Sequence, residues 1–104
     1  MARKPLSGPA SDPEVLILAS LAGGPKHGYA VMQDIETFSG CKIGPGTLYT
    51  ALTRLVEKGW IEPARSNDRQ RPYRITGIGT ATLKEQLKRM RSLATVGLRR
   101  LSFS

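Results

Sequence analysis

The chain has 104 residues and a formal net charge of +8, from 16 Lys and Arg against 8 Asp and Glu. This length suits one domain rather than two, and the charge favours a polyanionic partner, either nucleic acid or an anionic membrane surface. A single cysteine and a single histidine argue against an internal disulfide and a metal site, and we expect no cofactor. No apolar run is long enough to cross a membrane, and the first residues lack the apolar stretch of a signal peptide, so we expect a cytoplasmic protein.

The N-terminal third predicts a flexible arm followed by a buried helix. Residues 1–11 are rich in Pro, Ser, Gly, Lys and Arg, a composition typical of a mobile segment. Asp12 is a good helix cap, and Pro13 suits the first helical position. Residues 15–21 are apolar nearly all round, so this helix is expected in the core, ending at Gly23.

Two amphipathic helices are predicted next. The second helix spans about residues 27–38, and the third spans about residues 46–58, where Gly59 is a suitable C-terminal cap. The side chains expected to face the core are Val31, Met32, Ile35 and Phe38 in the second helix, and Leu48, Ala51, Leu52, Leu55 and Val56 in the third.

Short extended segments then replace the helical period. Residues 60–65 and 72–76 flank a polar turn and predict a β-hairpin, after which a last helix runs from about Thr76 to Leu101. The order indicates an α+β, mainly α, winged helix-turn-helix with a long C-terminal dimerisation helix. We expect the winged-helix domain to span residues 12–76 and the dimerisation helix to span residues 77–104.

Several motifs support this topology in order and at suitable spacing. They are residues 27–29 (HGY), 46–61 (GTLYTALTRLVEKGWI) and 71–76 (RPYRIT), followed by Gly79 and Leu83. With these motifs the chain resembles the PadR family of bacterial transcriptional regulators. The resemblance implies DNA binding, dimerisation through the last helix with help from the first, repression rather than activation, and a structural role for Gly79. It also implies a nucleoid-associated protein when DNA is bound.

The third helix carries the predicted base contacts. Thr47, Thr50 and Arg54 follow helical spacing on the face opposite the apolar set, which is the arrangement of a helix that enters the major groove of double-stranded DNA. Gly46 permits close approach of the backbone to a phosphate. The full predicted set is Gly46, Thr47, Tyr49, Thr50, Thr53 and Arg54, in which the resemblance makes Tyr49 a backbone contact.

Basic residues elsewhere predict contacts to the DNA phosphates, which set affinity and register rather than sequence choice. In the hairpin, or wing, these residues are Arg65, Arg69, Arg71 and Arg74. Near the ends of the second and third helices they are Lys26, His27 and Lys42.

The last helix has an apolar stripe longer than the small core can cover, which predicts a homodimer. The stripe residues are Leu83, Leu87, Met90, Ala94, Leu98 and Leu101. A two-fold dimer would place its recognition helices ~34–36 Å apart and read an inverted repeat. Some PadR relatives bind flat aromatic compounds at the dimer interface, but this helix has no aromatic residue before Phe103, so a small-molecule effector stays open.

Other functions are less well supported by the sequence. No nucleophile–base pair, phosphate-binding glycine loop or metal cluster is visible, so we expect no catalytic residue and no enzyme. The main alternative is a winged-helix module that binds RNA or a protein partner without operator recognition. A membrane-surface role for the basic C-terminal helix is a weaker alternative, and we expect no membrane partner.

Overall fold

The computed structural model describes residues 11–65 and 72–102. Its elements follow the predicted order: α1 (Pro13–Ala22), α2 (Gly28–Ser39), α3 (Pro45–Lys58), β1 (Ile61–Pro63), β2 (Tyr73–Ile75) and α4 (Gly77–Ser102). The predicted fold class, mainly helical with a small sheet and a long C-terminal helix, is confirmed. The N-terminal arm predicted for residues 1–11 lies outside the described residues except for Ser11.

The centre of the core is α1. The side chain of Asp12 accepts a hydrogen bond of 2.9 Å from the Glu14 N–H and so caps this helix. The apolar side chains of α1 are buried on all sides, because α2, α3, β2 and the first part of α4 pack around it. The burial of these side chains makes α1 the centre of the domain core, and the part in dimerisation that the resemblance implies for this helix stays a prediction.

Two apolar side chains that were predicted to face the core are instead exposed. Phe38 lies in line with Val31 on α2, but one turn beyond Ile35, where the helix has passed the end of the core. Val56 lies at the margin of the buried stripe of α3. Helical periodicity predicted the direction of these side chains correctly, but it cannot show where the neighbouring layer ends.

The wing is a two-stranded antiparallel sheet in which Ile61 pairs with Ile75 and Glu62 with Arg74. The segment before α2 pairs with β2 through an isolated antiparallel bridge. Lys26 and Tyr73 exchange both backbone hydrogen bonds, at 3.1 and 2.9 Å. The wing is therefore fixed to the connection between α1 and α2.

The start of α4 is fixed to the start of β1. The Thr76 hydroxyl donates to the Gly59 carbonyl (2.6 Å) and accepts from the Gly79 N–H (3.0 Å), so Thr76 caps α4. The Thr76 N–H also donates to the Trp60 carbonyl. This carbonyl lies so close to Gly79 that a Cβ there would overlap it, which gives Gly79 its structural role.

Only the first half of α4 packs on the rest of the molecule. Gly79 and Leu83 are buried and Met90 is half-buried against the core, whereas every residue from 91 to 102 is exposed apart from half-buried Gly97. In the part of the chain that is described, no helix is long and apolar enough to pass through a bilayer.

Candidate nucleic-acid interface

The exposed face of α3 is polar along its first three turns. Leu48, Ala51, Leu52 and Leu55 are buried, and the six predicted contact residues on the other sides are all exposed: Gly46, Thr47, Tyr49, Thr50, Thr53 and Arg54. The Thr53 hydroxyl donates to the Tyr49 carbonyl at 2.9 Å. Within residues 11–65 and 72–102 no such internal bond holds the hydroxyls of Thr47 and Thr50, so both can donate to a partner.

Two helix N-termini have no side-chain cap. Asp12 caps α1 and Thr76 caps α4, but neither His27 before α2 nor Gly44 before α3 offers a capping hydrogen bond from its side chain. Pro45, the first residue of α3, has no N–H, so the groups that remain available to an anion are the N–H groups that follow it in the first turn of α3 and those of the first turn of α2. The partial positive charge of each helix N-terminus favours a phosphate there.

Tyr49 connects these two helices. A Cβ built on Gly28, the first residue of α2, would lie 3.2 Å from the Tyr49 hydroxyl oxygen. The phenol thus rests against the backbone at the uncapped start of α2 while its ring remains half exposed. Tyr29, the next residue of α2, is 66% exposed, so this surface carries two accessible aromatic side chains.

The start of α1 borders the same face of α3. A shallow cleft separates Asp12, Pro13 and Glu14 from α3, and its α3 wall consists of Gly46, Thr47, Thr50, Ala51 and Arg54. Both acids have partners that offset their charge or fix their position. Asp12 caps α1, and Glu14 forms a 2.6 Å ion pair with Lys58, whose ammonium also lies 4.5 Å from the centre of the Trp60 ring. These contacts fix the position of α3 relative to α1.

The predicted arginines of the wing are only partly described. Arg65 is exposed, whereas Arg69 and Arg71 lie outside the described residues. Arg74 forms a cross-strand ion pair with Glu62, with one guanidinium nitrogen 2.6 Å from the carboxylate. Because opposite charges on paired strands stabilise a sheet, Arg74 has a structural partner that the sequence prediction of a phosphate contact did not include.

The three other predicted phosphate contacts differ in their surroundings. The Lys26 ammonium donates to the Ser20 carbonyl at 2.5 Å and lies 3.9 Å from Asp34, so it is held inside the fold. His27 precedes α2, and its Nδ1 is buried without a hydrogen-bond partner among the described residues. Lys42 is exposed between α2 and α3 and has no ion pair in the described part of the chain.

The residues predicted for the dimer seam fall into two groups. Leu83 is 5% exposed in the core of its own domain, and Met90 packs against that core. For Leu83 the prediction of a dimer contact is wrong, because the first half of α4 covers its own domain. Leu87, Ala94, Leu98 and Leu101 are exposed. Leu93 and Val96 are exposed as well.

Metal-binding clusters are also absent from the described residues. Across residues 11–65 and 72–102, no three His, Cys, Asp or Glu side chains come together in a group that could hold a metal ion. Cys41 is a free, partly buried thiol that packs at the edge of the core.

Comparison with known proteins identifies the family. Residues 17–85 match the model of the Transcriptional regulator PadR-like family. The chain belongs to this family. This PadR-like chain is also 42% identical over 84 residues to an uncharacterized 37.1 kDa protein in a transposon of Streptomyces fradiae. The match covers 81% of the chain but only 24% of that relative, so the chain spans about a quarter of the relative's length.

Solved structures agree with the fold of this PadR-like chain. A PadR family transcription regulator from Clostridium difficile superposes with a TM-score of 0.76 at 24% identity, covering 86% of this chain and 97% of the other. A transcriptional regulator from Clostridium thermocellum gives 0.72 at 27% identity, covering 84% and 87%. A winged-helix DNA-binding protein from STIV gives 0.69 at 17% identity, covering 76% and 87%. The fold is that of winged-helix DNA-binding proteins.

Sequence reasoning overlooked two features of this surface. The ion pair between Glu14 and Lys58 joins residues 44 positions apart, and no local pattern indicates it. The position of Tyr49 against Gly28 was equally hidden, although both residues belong to motifs that the sequence analysis quoted. Gly28, which directly follows the cap residue His27, could have indicated this contact, since a glycine at such a position suggests that another group approaches the backbone.

Proposed function

We propose that this PadR-like regulator binds double-stranded DNA in a sequence-specific manner, as a homodimer, and has no enzymatic activity. The carrying observation is the exposed face of α3 with Thr47, Thr50 and Arg54, next to the uncapped N-termini of α2 and α3. A major groove admits one helix, and its exposed N-terminal half reaches the base edges. Phosphates on either side would then meet the helix N-termini.

Different residues would serve specificity and affinity. Threonine hydroxyls and methyl groups suit several base edges, and Arg54 can reach a guanine or a phosphate. Lys42, Arg65 and the open N–H groups of α2 would contact phosphates, which hold the register without reading sequence. Arg69 and Arg71 would serve the same purpose in the wing.

Dimerisation would involve the second half of α4. Leu98 and Leu101 are large apolar side chains exposed on the part of α4 that its own domain does not cover, and Leu87, just before Met90, is exposed on the same side. Exposed apolar surface of this extent favours a partner helix. A symmetric pair would present two α3 helices to an inverted repeat with half-sites about one turn of DNA apart.

Repression is the regulatory outcome that we propose. This proposal relies only on the fact that PadR-family regulators are usually repressors. A bound dimer would repress by occupying promoter DNA. A reporter gene behind the selected operator would show lower expression when the protein is produced. Increased expression would identify an activator instead.

The test of DNA recognition is selection of bound sequences from a random double-stranded pool at near-physiological salt. We expect an inverted repeat with half-sites about one helical turn apart. Thr50→Ala should change the preferred bases, whereas Arg65→Ala should weaken binding to all sequences alike and reduce the salt dependence. The proposal would be contradicted if no sequence is enriched and the protein instead binds RNA more tightly or captures a protein partner. That result would favour a winged-helix module that binds RNA or protein.

A further inference from the structure

Most of the net positive charge of this chain lies on α4 rather than on the proposed DNA-reading surface. Residues 77–102 contain six Lys and Arg against one Glu, a net charge of +5, whereas the whole chain carries +8. The α3 helix has a net charge of only +1, from Arg54 and Lys58 against Glu57. Since a net positive charge favours binding to a polyanion, α4 is at least as well suited to such a partner as α3 is.

The contrast is larger when ion pairs are considered. In the described part of the winged-helix domain, Lys26, Lys58 and Arg74 lie beside carboxylates. On α4 the corresponding pair is Arg89 with Glu85, at 3.4 Å. Five basic residues of α4 are exposed and have no acidic partner among residues 11–65 and 72–102: Lys84, Lys88, Arg91, Arg99 and Arg100.

Four of these residues form a stripe along one side of α4. Lys84, Lys88 and Arg91 follow each other at steps of four and three residues and, together with Leu87, line a shallow groove. Arg99 lies ~three turns beyond Lys88 and thus on the same side. This basic stripe (Lys84, Lys88, Arg91 and Arg99) extends for ~22 Å, the axial length of ~6 base pairs of duplex.

The basic stripe and the exposed face of α3 lie on different parts of the molecule. The buried helix α1 packs against both α3 and α4, which have little contact with each other. The Gly79, Leu83 and Met90 side of α4 faces the core, and the stripe residues are exposed away from it. Because α3 and α4 hardly touch, we expect a duplex held in its major groove by α3 to leave the stripe free. Within the stripe, Lys88 and Arg99 lie farthest around the helix from Leu87 and Leu98, the side proposed for the dimer.

We propose that the basic stripe of α4 binds the phosphate backbone of a second DNA duplex, so that the protein bridges two DNA segments. This inference rests on the proposed DNA-binding function of α3. A line of unpaired lysines and arginines without acidic residues suits a polyanion with regularly spaced charges, and it neutralises phosphates without reading bases. The DNA that surrounds an operator supplies such a polyanion at high local concentration.

The test measures capture of one duplex by another. An operator duplex is immobilised, or a random-sequence duplex if no operator is selected, and a fluorescent duplex without operator sequence is added with the protein. The variant Lys88→Gln/Arg99→Gln removes two stripe charges away from the proposed dimer seam and keeps helix propensity. The matched control Arg89→Gln/Arg100→Gln removes two charges from another side of α4. Sedimentation confirms that both variants keep the oligomeric state of the parent protein.

We expect the parent protein and the control variant to capture the second duplex. The stripe variant should retain about tenfold less of the fluorescent duplex, or even less. The stripe variant should keep its operator affinity, and the salt dependence of its non-operator binding should fall by ~0.9 in logarithmic slope for each contact removed. Equal capture by both variants, no capture by the parent protein, or stripe-dependent binding to phosphatidylserine vesicles without DNA capture would overturn the inference. Intact operator selection in any of these cases would show that the proposed function itself holds.

Discussion

The hydroxyl group of Tyr49 in α3 rests against the backbone of Gly28, the first residue of α2, where a Cβ would lie 3.2 Å from the phenolic oxygen. Since Gly28 begins a helix without a side-chain cap, the phenol is positioned beside open backbone N–H groups. An aromatic donor and a helix N-terminus thus converge on one point of the proposed interface. Such a point suits a phosphate oxygen, which accepts hydrogen bonds from both.

Tyr49→Phe should weaken DNA binding without changing sequence preference. The substitution removes the hydroxyl and leaves the ring against Gly28, so the free energy of unfolding should hardly change. Loss of a hydrogen bond to a charged phosphate should cost about 1–2 kcal/mol, or roughly five- to thirtyfold in affinity. Titration of operator and non-operator duplexes measures both effects. Tyr29→Phe is the control, and a loss confined to the operator would show that Tyr49 reads bases instead.

Gly79→Ala should destabilise the fold strongly. A Cβ at residue 79 would lie 2.8 Å from the carbonyl carbon of Trp60 and overlap its oxygen, and both are backbone atoms that cannot swing aside. We expect a loss of about 3 kcal/mol or more in the free energy of unfolding, measured by urea denaturation. Gly77→Ala is the matched control, because no atom lies within 4 Å of a Cβ there. It should be neutral or stabilising, and equal losses in both variants would refute the steric explanation.

The sequence predicted the elements of this fold well, because their signals are local. Asp12 and Thr76 act as helix caps at the positions that their residue types suggest, and Gly59 has a φ of 76° at the end of α3. The core positions of α3 followed from helical spacing. The exposed polar face of the same helix followed too, since it is the complement of the buried set.

Features that depend on distant partners could not be predicted. The apolar stripe of α4 is continuous in sequence, yet Leu83 belongs to the domain core and Leu98 is exposed. The division depends on where the body of the domain ends beside the helix, and no periodicity shows this. Lys26 was predicted to contact phosphates because it is basic and near a helix start, but the Ser20 carbonyl and Asp34 beside it were not visible from spacing.

Lys26→Met should affect stability more than DNA binding. The Lys26 ammonium donates to the Ser20 carbonyl at the end of α1, while the buried Ser20 hydroxyl donates to Asp34 at 2.7 Å. Loss of this charged donor should cost about 1–3 kcal/mol, lowering the melting temperature by about 4–8 °C for each kcal/mol.

Lys42→Met is the matched control for Lys26→Met, since it makes the same chemical change at an exposed site. It should keep the melting temperature of the parent protein, weaken binding to all DNA sequences, and lower the logarithmic salt slope by ~0.9. If the Lys26→Met protein is instead as stable as its parent but defective in DNA binding, Lys26 contacts DNA phosphates as the sequence predicted.

Leu98→Lys should dissociate the proposed dimer while each chain stays folded. Leu98 is 66% exposed in the half of α4 that its own domain does not cover, and lysine keeps helix propensity while placing a charge in the seam. Val96→Lys is the control, because Val96 projects from another side of α4.

Leu83→Ala provides the contrast, because Leu83 belongs to the domain core. Removal of its side chain should cost about 2–5 kcal/mol in unfolding free energy. Analytical ultracentrifugation and circular dichroism separate the two effects, and a Leu98→Lys protein that sediments like its parent would exclude this face as the dimer seam.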